Sequence, residues 1–186
     1  MAEPRERILQ GAYTCIARYG LEKTTVEDVA RASGLSRATV YRTFPGGRDE
    51  LIREVVSWQI GEFFAALATS VAGCDGFEEV VEVALVEAHR AVGEHALLQR
   101  LLLTERDRLL PTLTMETSRF VPLIAAFVEP YLANERLRPG IDVHEAAGYV
   151  ARMVVSHIGS PGRWDLTDRE QVNALVRAEI LAGIVE

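Results

Sequence analysis

Residues 24–44 read TTVEDVARASGLSRATVYRTF. The spacing of the apolar positions predicts two short amphipathic helices joined by a four-residue turn around Gly34, the geometry of a helix-turn-helix. Thr24 fits the N-cap of the first helix with Glu27 at N3, a capping box in which each side chain satisfies a free backbone N–H. Ser36 fits the N-cap of the second helix, Arg37 to Phe44. Ala30 is small where the helices cross, and Gly34 supplies the positive φ that the turn needs. Val29, Leu35 and Val40 provide the apolar contacts between the helices. Phe44 follows Val40 by four residues and falls on the same buried face.

The opposite face of the second helix carries Arg37, Ala38, Thr39, Tyr41, Arg42 and Thr43. Arginine can form paired hydrogen bonds to guanine or bind phosphate, and threonine offers a hydroxyl and a methyl to base edges. The hydroxyls of Tyr41 and Thr25 suit phosphates, which fix register without reading sequence. Ala38 lets the backbone approach a groove. Arg48, just before the next helix, can meet a phosphate with help from unsatisfied backbone N–H groups. The competing reading is a helical hairpin that only packs and whose polar face is solvated.

On either side of this stretch the period stays helical. Ile8, Leu9, Ala12, Ile16 and Tyr19 form one stripe of a first helix that stops at Gly20. Pro45-Gly46-Gly47 breaks the chain, and Asp49 and Glu50 suit the first turn of a long fourth helix reaching Gly73. Further helical patterns run over 77–92, 95–110, 118–136, 142–159 and 167–184. Asp142 with Glu145, and Thr167 with Glu170, are two more capping-box candidates. Pro111, Pro139-Gly140 and Pro161-Gly162 punctuate between them. No alternating strand pair is present. The expected fold is all-α with about nine helices, divided into residues 1–48 and 49–186.

The 186 residues suit one domain of ordinary size, and 48% hydrophobic with 25% charged residues argues against global disorder. The net charge is −7 but is uneven: residues 1–50 carry +1 and the remainder −8. An acidic total therefore does not exclude a nucleic-acid partner. Of 20 basic residues, 19 are arginine and only Lys23 is lysine. The apolar run Phe120–Val128 is far shorter than the roughly 20 residues that span a bilayer, so no membrane segment is expected. The N-terminus has no apolar signal segment, and Cys15 and Cys74 form neither a metal spacing nor a disulfide framework. These features point to the cytoplasm.

Residues 5–52, RERILQGAYTCIARYGLEKTTVEDVARASGLSRATVYRTFPGGRDELI, resemble the DNA-binding region of TetR-family transcriptional regulators. The match runs through the first helix, the aromatic-Gly pair, Thr-Thr, Ser-Gly and the Val-Tyr-Arg-x-Phe ending. It implies DNA contacts by Thr25, Ser36, Arg37, Thr39, Tyr41 and Arg42, with Thr25 and Tyr41 on phosphates. It also implies a nine-helix protein, dimerised through its last two long helices, and a repressor released from DNA by a small molecule. The turn after Phe44 is one residue longer than the commonest family form, in which a lysine precedes an acid. Arg48 stands in that place.

The remaining sequence supplies further expectations. Helix 142–159 carries small residues (Ala146, Ala147, Gly148, Ala151), and helix 167–184 carries an apolar stripe (Val172, Leu175, Val176, Ile180, Leu181, Ile184). Two such helices from each of two chains can form a four-helix interface, and a two-fold reader of a pseudo-palindromic operator needs two recognition helices. The alternative is that both stripes are intramolecular core. Trp58, Phe63, Phe120 and Phe127, with His89 and His157 as polar anchors, are candidates to line an effector pocket. His89, His95, His144 and His157 make no i, i+4 pair, and no phosphate loop or nucleophile elbow occurs. No metal, cofactor or catalytic activity is expected. The rival functions are a DNA-binding regulator without a ligand, and an all-helical interaction module or enzyme that does not use its helix-turn-helix.

Overall fold

The computed structural model describes residues 3–186, and the side chains of all of these except 108 and 110–119. The described residues form nine helices and no strand, only an isolated antiparallel bridge between Leu137 and Val185. The helices are α1 (Pro4–Tyr19), α2 (Val26–Ser33), α3 (Arg37–Thr43), α4 (Gly47–Val71), α5 (Phe77–Glu94), α6 (Ala96–Thr104), α7 (Arg106–Leu132), α8 (Val143–Gly159) and α9 (Arg169–Leu175). The last continues as a π-helical turn, Val176–Leu181. The all-α class predicted from periodicity is the observed one.

The chain forms two compact units. The first runs to Phe64 and takes in His95–Thr114. Its core joins Ile8, Leu9, Ala12 and Ile16 of α1 to Val29, Val40, Phe44 and Leu51, with Leu101 of α6 and Leu109 of α7. Burial of these stripes holds the short helices α2 and α3, which at eight and seven residues are too short to persist alone. The second unit comprises Ala65–Glu94 and Met115–Glu186. Its core gathers Phe77, Val81 and Leu85 of α5, Val128 and Leu132 of α7, Val150 and Val154 of α8, and Val172, Leu175 and Ile180. The apolar stripes of the last two helices are thus buried within one chain.

Three sequence expectations need correction. The break expected at Pro111 falls at Glu105, between α6 and α7, where φ is −138° and ψ 36°. At this corner the Glu105 carboxylate bonds the α1–α2 turn, accepting from Leu21 N at 3.1 Å and Glu22 N at 2.8 Å. The N-cap of α2 is Thr25, not Thr24: Thr25 Oγ1 accepts from Asp28 N at 3.2 Å, while Thr24 is buried and its hydroxyl donates to Gly20 O at 2.7 Å. The final helix is capped by Asp168 rather than Thr167, because Thr167 donates both its N–H and its hydroxyl to Asp165. Those two bonds, the hydroxyl's first, hold the Asp165 carboxyl below its ordinary pKa. The caps at Ser36 and Asp142 are as predicted.

In the second unit, Glu179 on the π-helical turn gathers three donors on one carboxylate. His157 Nε2 lies 3.1 Å away, Trp164 Nε1 2.9 Å and Arg163 3.4 Å. The His157 bond, then that of Trp164, holds the carboxyl below its ordinary range. His157 itself is buried, with Nδ1 2.8 Å from Met153 O.

Candidate nucleic-acid interface

Helix α2 stops because Gly34 adopts a left-handed conformation, φ 67° and ψ 30°. Leu35 N then reaches back to Ala30 O at 3.0 Å and Gly34 N to Arg31 O at 3.2 Å, which satisfies carbonyls left open at the helix end. Arg7 of α1 covers a further carbonyl, with Nη2 donating to Ser33 O at 2.8 Å. Val29, Ala30, Val40 and Phe44 are all buried, so the angle between α2 and α3 is set by close packing. Ser36 opens α3 by accepting from Thr39 N at 3.1 Å.

This packing turns the other face of α3 outward. Ser36, Arg37, Ala38, Tyr41 and Arg42 are exposed, and Thr39 and Thr43 are half-buried. The polar groups on this face are not equally available. Arg37 Nη2 is 2.5 Å from Glu27 Oε1 on α2. The hydroxyls of Ser36 and Thr39 pair at 2.9 Å, and that of Thr43 donates to Thr39 O. Arg42 makes no hydrogen bond or ion pair to the described residues, and Tyr41 keeps 45% of its surface in solvent. Thr25 is exposed at the start of α2, with its hydroxyl donating to Asp28 Oδ2 at 2.6 Å. That bond is the main reason the Asp28 carboxyl lies below its ordinary pKa.

Arg48 is placed differently. Its Nε donates to Thr24 O at 2.9 Å, Nη2 to Leu21 O, and Nη1 pairs with Asp49 at 3.1 Å. The guanidinium ties the α1–α2 turn to the first turn of α4.

Residues 8–55 match the family model of bacterial regulatory proteins of the tetR family. Over that stretch, about a quarter of its length, the chain is similar to the tetR family. An HTH-type transcriptional regulator of Mycobacterium bovis is 31% identical over 113 residues, covering 56% of this chain and 57% of that protein. The transcriptional repressor KstR2 of Mycolicibacterium smegmatis is 32% identical over 72 residues, covering 37% of this chain and 35% of the relative. The matches thus span little more than half, or less, of the length of these curated relatives. Among solved structures, the TetR-family repressor AlkX of Dietzia sp. aligns over 99% of this chain and 98% of its own, with a TM-score of 0.65 and 23% identity. That likeness is one of fold.

The residues singled out from sequence as DNA contacts lie on α3, at the caps of α2 and α3, and at the start of α4. Ser36, Arg37, Thr39, Tyr41 and Arg42 share α3 or its cap, and Thr25 caps α2. The candidate effector residues are distributed over both units. In the first, Trp58 packs edge-on against Tyr13 with ring centroids 6.4 Å apart, and Phe63 against Phe64 at 5.2 Å. In the second, Phe127 tilts against Tyr131 at 5.8 Å, while His89 and Phe120 are half-buried. Residues that support the interface without carrying a nucleic-acid signature escape sequence reasoning. Glu27 is one, held by its pairing with Arg37, and Glu105 is another, 84 residues from the turn it bonds. Lys23 is exposed on that same turn, two residues before Thr25.

Proposed function

We propose that the chain is a cytoplasmic, homodimeric transcriptional repressor that reads a pseudo-palindromic operator in double-stranded DNA. The observation that carries this reading is the exposed face of α3, with Arg42 making no hydrogen bond or ion pair among the described residues and Tyr41 beside it, on a helix locked by buried Val40 and Phe44. An α-helix presented in this way fits the major groove, where arginine reads guanine and hydroxyls meet phosphates. Residues 1–48 act as the DNA-binding domain and 49–186 as the dimerisation and effector domain. The dimer forms through α8 and the last helix, using the faces turned away from the buried stripes: Gly148, Tyr149 and Arg152 on the one, Ala174 and Ala178 on the other. A small-molecule effector enters the larger domain, with the half-buried Phe120 and Phe127 as candidate lining. It releases DNA by favouring a conformation with the wrong spacing of recognition helices, and only to the extent of its differential affinity. The chain acts by binding and carries out no catalysis.

Duplexes selected from a random library with the purified protein test this directly. The expected product is an inverted repeat whose half-sites lie about one helical turn apart, or a multiple of it, and whose affinity falls steeply with salt. Recovery of no motif, with weak affinity for every duplex, would overturn the proposal.

A further inference from the structure

The end of α1 and the α1–α2 turn, residues 20–25, are bonded by three side chains within the first unit. Arg100 of α6 donates to Ala17 O at 2.5 Å and Ile16 O at 3.2 Å, closing the end of α1. Glu105, at the corner between α6 and α7, accepts from two consecutive amides, Leu21 N and Glu22 N, one on each carboxylate oxygen. Arg48 takes the carbonyls of Leu21 and Thr24. Gly20 makes room for this arrangement: its φ is +88°, and a Cβ there would overlap Glu105 Oε1. Thr24 then closes onto Gly20 O, and Thr25 begins α2 as its N-cap. An unbroken set of bonds therefore runs from the Glu105 carboxylate to the cap of α2, the helix that carries Glu27 and, through it, Arg37.

We infer that Glu105 is a positioning residue for DNA binding. It touches no DNA. It fixes the α1–α2 turn, and through the turn the placement of Thr25 and the start of α2 against the phosphate backbone. The chemistry is specific to a carboxylate, because two N–H donors face two acceptor oxygens and charge-assisted bonds of this kind are the stronger class. Glutamine at this position sets an amide N–H₂ against a backbone N–H on one side. The inference rests on the DNA-binding reading above.

The test compares the intact wild-type protein with Glu105→Gln, Gly20→Ala and the double variant, on the duplex selected with the wild type. Binding is followed by fluorescence anisotropy over a salt series, with the folded fraction measured separately by thermal melting. Glu105→Gln is expected to bind about tenfold more weakly, equivalent to about 1.4 kcal/mol. The salt slope is expected to fall by about one unit, the signature of one lost phosphate contact. Gly20→Ala is expected to do the same, and the double variant to be no worse than either single one, because both remove the same contact. A role limited to stability would lower the melting temperature and leave the slope of the folded fraction unchanged. That result, or wild-type binding by Glu105→Gln, would overturn the inference. Amide hydrogen exchange on DNA-free wild-type protein needs no variant: Leu21 and Glu22 are expected to be protected, and fast exchange at both would equally overturn it. Failure of the wild type itself to bind any duplex is a different outcome and would overturn the DNA-binding proposal instead.

Discussion

Arg37 and Arg42 stand on one short helix, but different things hold them. Arg37 arrives oriented by Glu27, whereas Arg42 waits in solvent. Arg42→Ala is expected to weaken binding of the selected duplex by about 1–3 kcal/mol and to relax preference at one base pair. A panel of single-base duplex variants checks this, and uniform weakening across the panel would place Arg42 on phosphate instead. Thr25 carries a second prediction. Thr25→Val removes the cap of α2 and is expected to cost about 1 kcal/mol of stability in urea unfolding. It also removes the bond that depresses the Asp28 carboxyl. A depressed carboxyl adds stability above its unfolded pKa and loses it as pH falls through the folded value. The stability gap between wild type and Thr25→Val should therefore narrow below about pH 4, where aspartate begins to protonate. The sequence pattern could not choose between Thr24 and Thr25, since each is followed three residues later by an acid. The choice is made by burial: Thr24 is 3% exposed and spends its hydroxyl on Gly20.

At the scale of elements, the helices and most of their ends were legible because apolar period, caps and glycine stops agree along the chain. The α6–α7 corner was not. Pro111 is the conventional breaker, yet α7 runs from Arg106 through it, and the break sits at Glu105. Nothing local marks that glutamate, whose partners lie 83 and 84 residues away. Gly20 and Gly34, which end α1 and α2, give a test of how backbone region and tertiary contact together set the cost of a side chain. Gly34 is in the left-handed helical region, where alanine costs roughly 1–2 kcal/mol on conformational grounds alone, whereas Gly20, at φ 88° and ψ 171°, is in a region essentially restricted to glycine. A Cβ at Gly34 would meet only the end of the Arg7 side chain at 3.1 Å, whereas one at Gly20 would strike the Glu105 carboxylate. Both the backbone region and the Glu105 contact make Gly20→Ala lower stability by more than Gly34→Ala in matched urea titrations; equal losses would overturn this ordering.

For the molecule as a whole, the helix count and the packing of α2 against α3 were legible in the sequence, but an intramolecular stripe could not be separated from an intermolecular one. Val172, Leu175, Val176 and Ile180 are fully covered within one chain, so the residues that first suggested a dimer are not the ones available to form it. Attention moves to the exposed side of the same helices. Ala178→Arg adds bulk and charge there without entering the core, and is expected to yield a folded monomer at micromolar concentration in size-exclusion chromatography with light scattering. A variant that still elutes as a dimer would exclude this face. The uneven charge also has a practical side. Arginine makes up 19 of the 20 basic residues, which leaves Lys23, exposed on the α1–α2 turn, as the sole side-chain amine. An acylating reagent therefore finds one lysine address in these 186 residues, two residues from Thr25, with no engineered handle. On the DNA-binding reading proposed above, bound operator shields that amine, and the yield of acylation becomes a footprint written on the protein instead of on the nucleic acid.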